Sequence, residues 1–342
     1  MHSVFRPFLL AGAMLMIYGT ARMQAQNIVQ GEATQVYFLP KNTLRFDVRI
    51  AKVTETAGIF YQYAERYLGT KQVITENKTY YQLRAIDIKT NALPDSTKAF
   101  QLTPTADCLI QTDRHGILRS VNAPTSPSQK SGHADHRQHT PRPSLLPLGE
   151  EQMMSGSIAK MAESTAKQIY RIREARLNLL SGDMDNMPAD GESLQTMLKG
   201  LDRQERQLCE LFIGTRQVEE RTEHIVIDPT EDVTRQILFR FSTHDGVVDA
   251  DDLSGSPCYW SMHISRVGYD SAAKPKSTKS RLYYNMPGTA RVSVAADNLP
   301  VIEREVALAQ YGIIIPLPDK LINDGVRIMY DTKTGAIRQM TR

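Results

Sequence analysis

A chain of 342 residues has room for two domains, and 41% hydrophobic with 23% charged residues is ordinary for a globular protein. The formal charge is +3 and becomes +1 if Arg6 and Arg22 leave with a cleaved N-terminal segment. So small a surplus argues against nucleic acid as the partner and weakens the case for an anionic membrane surface.

The N-terminus reads as a secretory signal peptide over residues 1–25. Arg6 precedes the apolar run Pro7–Tyr18, too short to span a bilayer as a mature helix, and small residues follow. Cleavage is expected after Ala21 or Ala25. No cysteine lies near that point, which argues against lipid attachment there, and no later stretch is long and apolar enough to form a membrane helix.

Residues 26–122 read as a β-rich N-terminal domain. Leu44, Phe46, Val48 and Ile50 alternate with Arg45, Asp47 and Arg49, the pattern of a strand with one buried face. Between Gly58 and Gly69 the period changes, and Phe60, Tyr63, Ala64, Tyr67 and Leu68 fall on one face of a short helix. Alternation resumes at Tyr81, Leu83 and Ala85 and is expected to stop at a Pro94-Asp95 turn. Cys108–Thr112 and Ile117–Val121, joined by Asp113-Arg-His-Gly116, form a hairpin. Residues 123–148, rich in Pro, Ser and His, read as a linker without enough apolar surface to order itself.

Residues 149–214 carry the long helical pattern. Met154, Ile158, Met161, Thr165, Ile169, Ile172, Ala175 and Leu179 trace one stripe, and Ser181-Gly182 ends it. A second helix shows Leu194, Met197, Leu198, Leu201, Leu208, Leu211 and Phe212. The short connection implies an antiparallel pair, about 45 Å and about 33 Å long. Two helices enclose no interior, so the stripe is expected to lean on a sheet or on another chain.

Residues 215–342 return to short strands. Ile237, Phe239 and Phe241 alternate, as do Cys258, Trp260, Met262 and Ile264, and a hairpin turns at Asp331-Thr-Lys-Thr-Gly335. Regular turns between such strands suggest a C-terminal β-sandwich. The turns Asp113–Gly116 and Asp331–Gly335 close their β-regions alike. The fold class is therefore α+β, mainly β: an N-terminal β-rich domain with one short helix, a central helical hairpin and a C-terminal sandwich.

Candidate sites are few. Tyr61, Glu65 and Arg66 point away from the aromatic stripe and are the residues expected to meet a glycan or peptide. Cys108, Cys209 and Cys258 are too dispersed for a metal knuckle and too few for a disulfide framework, though an exported chain would allow Cys108 to pair with Cys258. His133, His136 and His139 have ligand chemistry but sit in the linker. Asp245 and Asp249–Asp252 lack the glycine and distal glutamate of a calcium loop. Ser96 and Ser271, in Asp95-Ser-Thr and Asp270-Ser-Ala, resemble acceptors for O-linked glycans. Hydrolase, zinc-protease and phosphate-loop motifs are absent, so no cofactor or metal is expected.

Tyr37-Phe-Leu-Pro-Lys41, Tyr63-Ala-Glu-Arg-Tyr-Leu-Gly69, Ala159-Lys-Met-Ala162 with Ile169–Glu174, Met187–Gly191, Phe239-Arg-Phe-Ser242, Val248–Leu253 and Tyr284–Gly288 occur in an order that resembles an exported Bacteroidota family, catalogued as domain of unknown function 4831. The resemblance implies a cell-envelope protein and supplies no activity. The expectation is a non-enzymatic periplasmic or outer-membrane-associated binding or scaffold protein whose partner is another envelope protein or a glycan. The alternative is an enzyme acting on envelope glycan or peptide in a cleft between the β-regions.

Overall fold

The computed structural model describes residues 35–102, 108–123, 148–154, 156–182, 191–267, 282–323 and 325–341. Two long strands open the chain, β1 (Gln35–Thr56) and β2 (Lys78–Leu102), with a 3-10 turn and the short helix α1 (Ala64–Leu68) between them. The hairpin β3 (Ile110–Thr112) and β4 (Leu118–Val121) follows, then one turn of helix α2 (Glu150–Met153), α3 (Ile158–Ser181) and α4 (Gly191–Ile213). The remainder is β5 (Thr215–Ile227), β6 (Val233–Ser242), β7 (Gly246–Val248), β8 (Ser256–Ser265), β9 (Leu282–Ala295), β10 (Ile302–Leu317), α5 (Asp319–Asn323), β11 (Arg327–Tyr330) and β12 (Ile337–Thr341). The mainly-β, α+β class expected from the sequence is what the chain forms.

The strands make three antiparallel sheets, ordered β2-β1-β5, β10-β9-β8-β6-β7 and β12-β11-β4-β3. The alternating residues Leu44, Phe46, Val48 and Ile50 of β1 face the five-stranded sheet, where they meet Phe239, Trp260, Met262 and Val292. Phe46 and Trp260 stand edge to face at 5.7 Å, the arrangement that aligns ring edge with ring face. A second core gathers Tyr37 and Leu39 of β1, Leu102 of β2, Cys108, Leu118, Leu282 of β9, Leu317 of β10 and Ile328.

The expected division at the linker therefore needs correction. Both cores mix residues from before and after the helices; β5 pairs with β1, and β11 pairs with β4. The sheet that completes the C-terminal sandwich comes mostly from the N-terminal region. Alternation shows that a strand has a face to bury, but not which strand covers it.

The long hairpins β1–β2 and β9–β10 run through both cores. Register breaks fall between Phe38 and Pro40 of β1 and between Leu308 and Ile313 of β10, where one core gives way to the other. The turn expected at Pro94-Asp95 is a bulge within β2: Pro94 faces Pro40, and the ladder resumes at Ala99 opposite Phe38. Asp95 Oδ1 holds the detour by accepting from Thr97 N–H at 3.0 Å and from its hydroxyl at 2.6 Å. Neither proline has an N–H for the ladder to lose.

The helical pair forms a third core. Ser157 caps α3 by accepting from Lys160 N–H at 3.3 Å, and Gly182, at φ 78°, ends it as expected. Ala162, Ala166, Ile169 and Ile172 pack with Leu208, Leu211 and Phe212 of α4 and with Phe60 and Ala64. The stripe starts two turns later than the sequence suggests. Ile158 is 59% exposed and Met154 78%, because the covering segment reaches only from Ala162 onward.

That covering segment is the connection from Gly58 to Ile74, not a sheet. It supplies the donors missing at the end of α4: Phe60 N–H donates to Leu211 O at 2.8 Å and Ile74 N–H to Ile213 O at 2.9 Å. Ring packing of Phe60 on Phe212 at 5.3 Å adds apolar contact. The hairpin is thus anchored at its base by the chain's own β1–β2 connection.

Candidate functional site: a basic groove between two strand edges

β2 is an edge of the three-stranded sheet, and β10 is an edge of the five-stranded sheet. Between them lies a groove of about 900 Å³, with Ile88–Leu93 of β2 on one wall and Arg304–Ala307 of β10 on the other. The turns at Asp113–His115 and Thr332–Lys333 border it. These are the two turns whose likeness is visible in the sequence. Gly116 at φ 83° and Gly335 at φ 74° supply the left-handed residue each turn needs. Their carbonyls tie the turns inward, Gly116 O accepting from Phe38 N–H at 2.9 Å and Gly335 O from Asn285 N–H at 3.0 Å.

A buried amide hub fixes the floor beside the groove. Asn42 is fully buried; its Nδ2 donates to Lys333 O at 2.8 Å and its Oδ1 accepts from Ala309 N–H at 2.6 Å. Its backbone N–H and C=O both bond the side-chain amide of Gln310. Asn285 Nδ2 donates to Ala309 O at 2.8 Å and to Thr334 O at 3.0 Å. β1, β9, β10 and the Asp331–Gly335 turn are thereby locked together.

The groove carries a local excess of positive charge. Arg45, Lys89, Arg114, Arg304 and Lys333 line it against Asp113 and Glu305, an excess of three positive charges, or two when Asp47 behind them is counted. Asp113 is committed to its own turn, where Oδ1 accepts from the N–H groups of His115 and Ile117. Arg304 Nη1 spans the groove to donate to Ile88 O at 2.8 Å.

Asp47 organises two of those cations. Its side chain is 7% exposed on the outer face of the three-stranded sheet. Lys89 Nζ lies 2.6 Å from Oδ2, His224 Nδ1 lies 2.7 Å from Oδ1, and Arg45 Nη2 donates to Oδ2 at 3.1 Å. Arg45 Nε lies 2.8 Å from Oδ1 but out of line for a hydrogen bond. Burial raises the carboxyl pKa, yet the bonds from Lys89 and His224 and the charges of Arg45 and Lys89 outweigh it. The net position is below the ordinary carboxylate value.

The residues singled out from sequence lie elsewhere. Glu65 pairs with Lys71 at 3.1 Å, Arg66 sits 5.4 Å from the Tyr67 ring centre, and Tyr61 accepts from Gln62, all beside the base of the hairpin. Glu65 and Arg66 are exposed and Tyr61 is half-buried. Cys108 and Cys258 are buried and Cys209 is half-buried. The Cys108–Cys258 pairing that export would allow is not made, because Cys108 belongs to the second core and Cys258 to the first. Ser96 is exposed on the β2 bulge; Ser271 and His133, His136 and His139 lie outside the described residues. Among the described residues no group of three His, Cys, Asp or Glu is placed to hold a metal, and no helix is long and apolar enough to cross a membrane.

Sequence reasoning missed the groove because its walls are about 200 residues apart in the chain. Arg45 and Lys89 look like ordinary solvated positions of alternating strands. The paired turns were the visible signal, and they gave no hint that both border one groove.

A family model described as Domain of unknown function (DUF4831) matches residues 34–338. Neither the curated proteins nor the solved structures contain a match to the chain.

Proposed function

We propose that this chain, which belongs to the family described as Domain of unknown function (DUF4831), is a non-enzymatic, exported cell-envelope protein of the Bacteroidota that binds an anionic partner in the groove between β2 and β10. The observation that carries the reading is the concentration of positive charge beside an open strand edge, in a chain whose total charge is only +3. An anion entering there exchanges water for fixed cations in a concave site, where the field is stronger than on a convex surface. The partner is another envelope protein or a glycan bearing negative groups. Export is supported by Arg6 and the apolar run Pro7–Tyr18.

Binding is favoured over hydrolysis by what the lining carboxylates do. With Asp113 held by its turn, Glu305 is left without a second carboxylate in the groove to share acid and base roles. The hairpin adds a scaffolding role: its base is anchored, while Leu177 and Leu180 on its distal half remain exposed.

The test is binding of the purified chain to polyglutamate, a sulfated glycan and polyphosphate, each at low and high salt. At least one is expected to bind, to weaken as salt screens the charges, and to be lost several-fold in the double variant Arg114→Glu, Lys333→Glu. No binding by any of them sinks the reading. N-terminal sequencing of the mature protein from fractionated cells is expected to start after Ala21 or Ala25; an intact N-terminus in the cytoplasm contradicts export.

A further inference from the structure

We propose that the occupant of the groove is an acidic polypeptide segment that adds to the free edge of β2 as an extra strand. This rests on the anion-binding reading above and names the partner class.

The direction of the backbone groups carries it. Asn42 of β1 gives its N–H to Gln310 Oε1 at 2.9 Å, and its C=O accepts from Gln310 Nε2 at 2.8 Å, so neither is spent on β2. In an antiparallel ladder, facing residues turn their backbone groups either toward each other or both away. Ala92 faces Asn42. It therefore turns its N–H and C=O outward, and by the two-residue alternation of a strand Thr90 and Ile88 do the same. The bond from Arg304 to Ile88 O at 2.8 Å, made from the groove side, agrees. With Ile88 O already held by Arg304, the two open rungs at Ala92 and Thr90, about 7 Å apart, suit an extended partner of roughly four residues.

The side chains fit the same occupant. A strand added here points successive side chains to opposite faces. Lys89 stands on the outer face with Asp47, while Ile88 points into the core below Arg304. Acidic side chains of either parity thus find a cation, and Arg114 and Lys333 stand on the turns at the rim. The outward carbonyls of Thr90 and Ala92 call for donors at peptide spacing. A peptide supplies them, and a polyphosphate does not.

The experiment uses the purified full chain and a labelled Glu-Thr-Glu-Thr-Glu-Thr-Glu peptide with blocked ends, read by fluorescence anisotropy. Two analogues carry N-methyl groups on the odd or on the even amides, so that each loses one hydrogen-bonding edge at unchanged charge. Polyphosphate and a sulfated glycan of similar charge compete. The parent peptide is expected to bind most tightly, and one of the two analogues to bind roughly tenfold more weakly, the loss of one or two backbone bonds. Thr90→Pro, which removes an outward N–H at an edge where proline is tolerated, is expected to weaken the peptide about tenfold and leave polyphosphate unchanged. Equal affinity of both analogues with the parent, or tighter binding of polyphosphate or glycan than of peptide, overturns strand addition while leaving a charged groove. Failure of every anionic probe overturns the groove reading as well. Should Thr90→Pro misfold, the analogue pair on the unaltered protein still decides.

Discussion

The Gly58→Ala substitution tests how the helical pair is anchored. An added Cβ would overlap the Leu211 carbonyl oxygen and come within 2.7 Å of its carbonyl carbon and 2.9 Å of Glu210 O, all backbone atoms of α4. Neither side yields cheaply, because Phe60 N–H and Ile74 N–H are bonded to the last turn of α4 at 2.8 Å and 2.9 Å. Overpacking of this kind costs about 1–3 kcal/mol, and each weakened backbone bond about 1 kcal/mol. A loss of about 2–4 kcal/mol follows. Gly200→Ala, on the same helix, is the control: its added Cβ meets no heavy atom within 4 Å, so helix propensity alone should stabilise by about 0.5–1 kcal/mol. Urea titration reads both variants. If the hairpin detaches without global unfolding, tryptic cleavage at exposed Lys160, Lys167 and Arg171 should instead accelerate roughly thirtyfold or more in Gly58→Ala. Opposite signs are the expected outcome. Wild-type stability and wild-type cleavage in Gly58→Ala would refute the anchoring geometry.

Further outcomes concern titratable groups. Asp47 is held below its ordinary pKa, so the stability it contributes is present above the unfolded carboxylate range near 3.9 and is lost as pH falls through the folded value. Asp47→Asn should therefore cost about 1–2 kcal/mol at pH 7, discounted because Lys89 and His224 are half exposed, with the gap from wild type closing in acid denaturation. A gap that persists at pH 2 would assign the loss to packing. Burial pushes the Cys258 thiol up to about 12, so it should resist a thiol reagent at pH 8 until urea unfolds the chain. The same shift favours the folded state below the ordinary thiol range and is lost as pH rises toward the folded value. Rapid labelling of native Cys258, followed by mass spectrometry, would contradict its place in the first core.

What was legible in the sequence follows the range of the interactions. The faces of β1, the cap at Gly182 and the turn glycines Gly116 and Gly335 depend on near neighbours, and they appear as read. The pairing of β5 with β1 and of β11 with β4 depends on contacts over 150 residues or more, which periodicity does not encode. The same limit hid the groove. Arg45 and Arg304 are ordinary exposed-strand arginines until the two edges are brought side by side. The Ala162–Ile172 stripe was visible, but its cover was not, because Gly58–Gly69 reads as a small amphipathic helix with a stripe of its own. Two apolar stripes that bury each other leave no mark in either one.

That mutual burial also sets where the molecule should open first. In α4 no residue before Leu208 is buried, and its distal half is held by ion pairs from α3: Arg173 Nε to Glu205 at 2.6 Å, and Arg176 Nη1 to Asp202 and Glu205. Such pairs, partly exposed, contribute about 0.2–1 kcal/mol each, and an isolated helix of this length is marginal in water. β1, by contrast, is central in its sheet and buries Leu44, Phe46, Val48 and Ile50 completely. Native-state hydrogen exchange should therefore show the amides of residues 195–205 opening at free energies several kcal/mol below those of β1, with little dependence on low urea, the signature of local rather than global opening. Arg176→Ala should lower the helix protection further and leave β1 unchanged. Protection of residues 195–205 equal to that of β1 would mean that something besides Leu208–Phe212 and these ion pairs holds the hairpin.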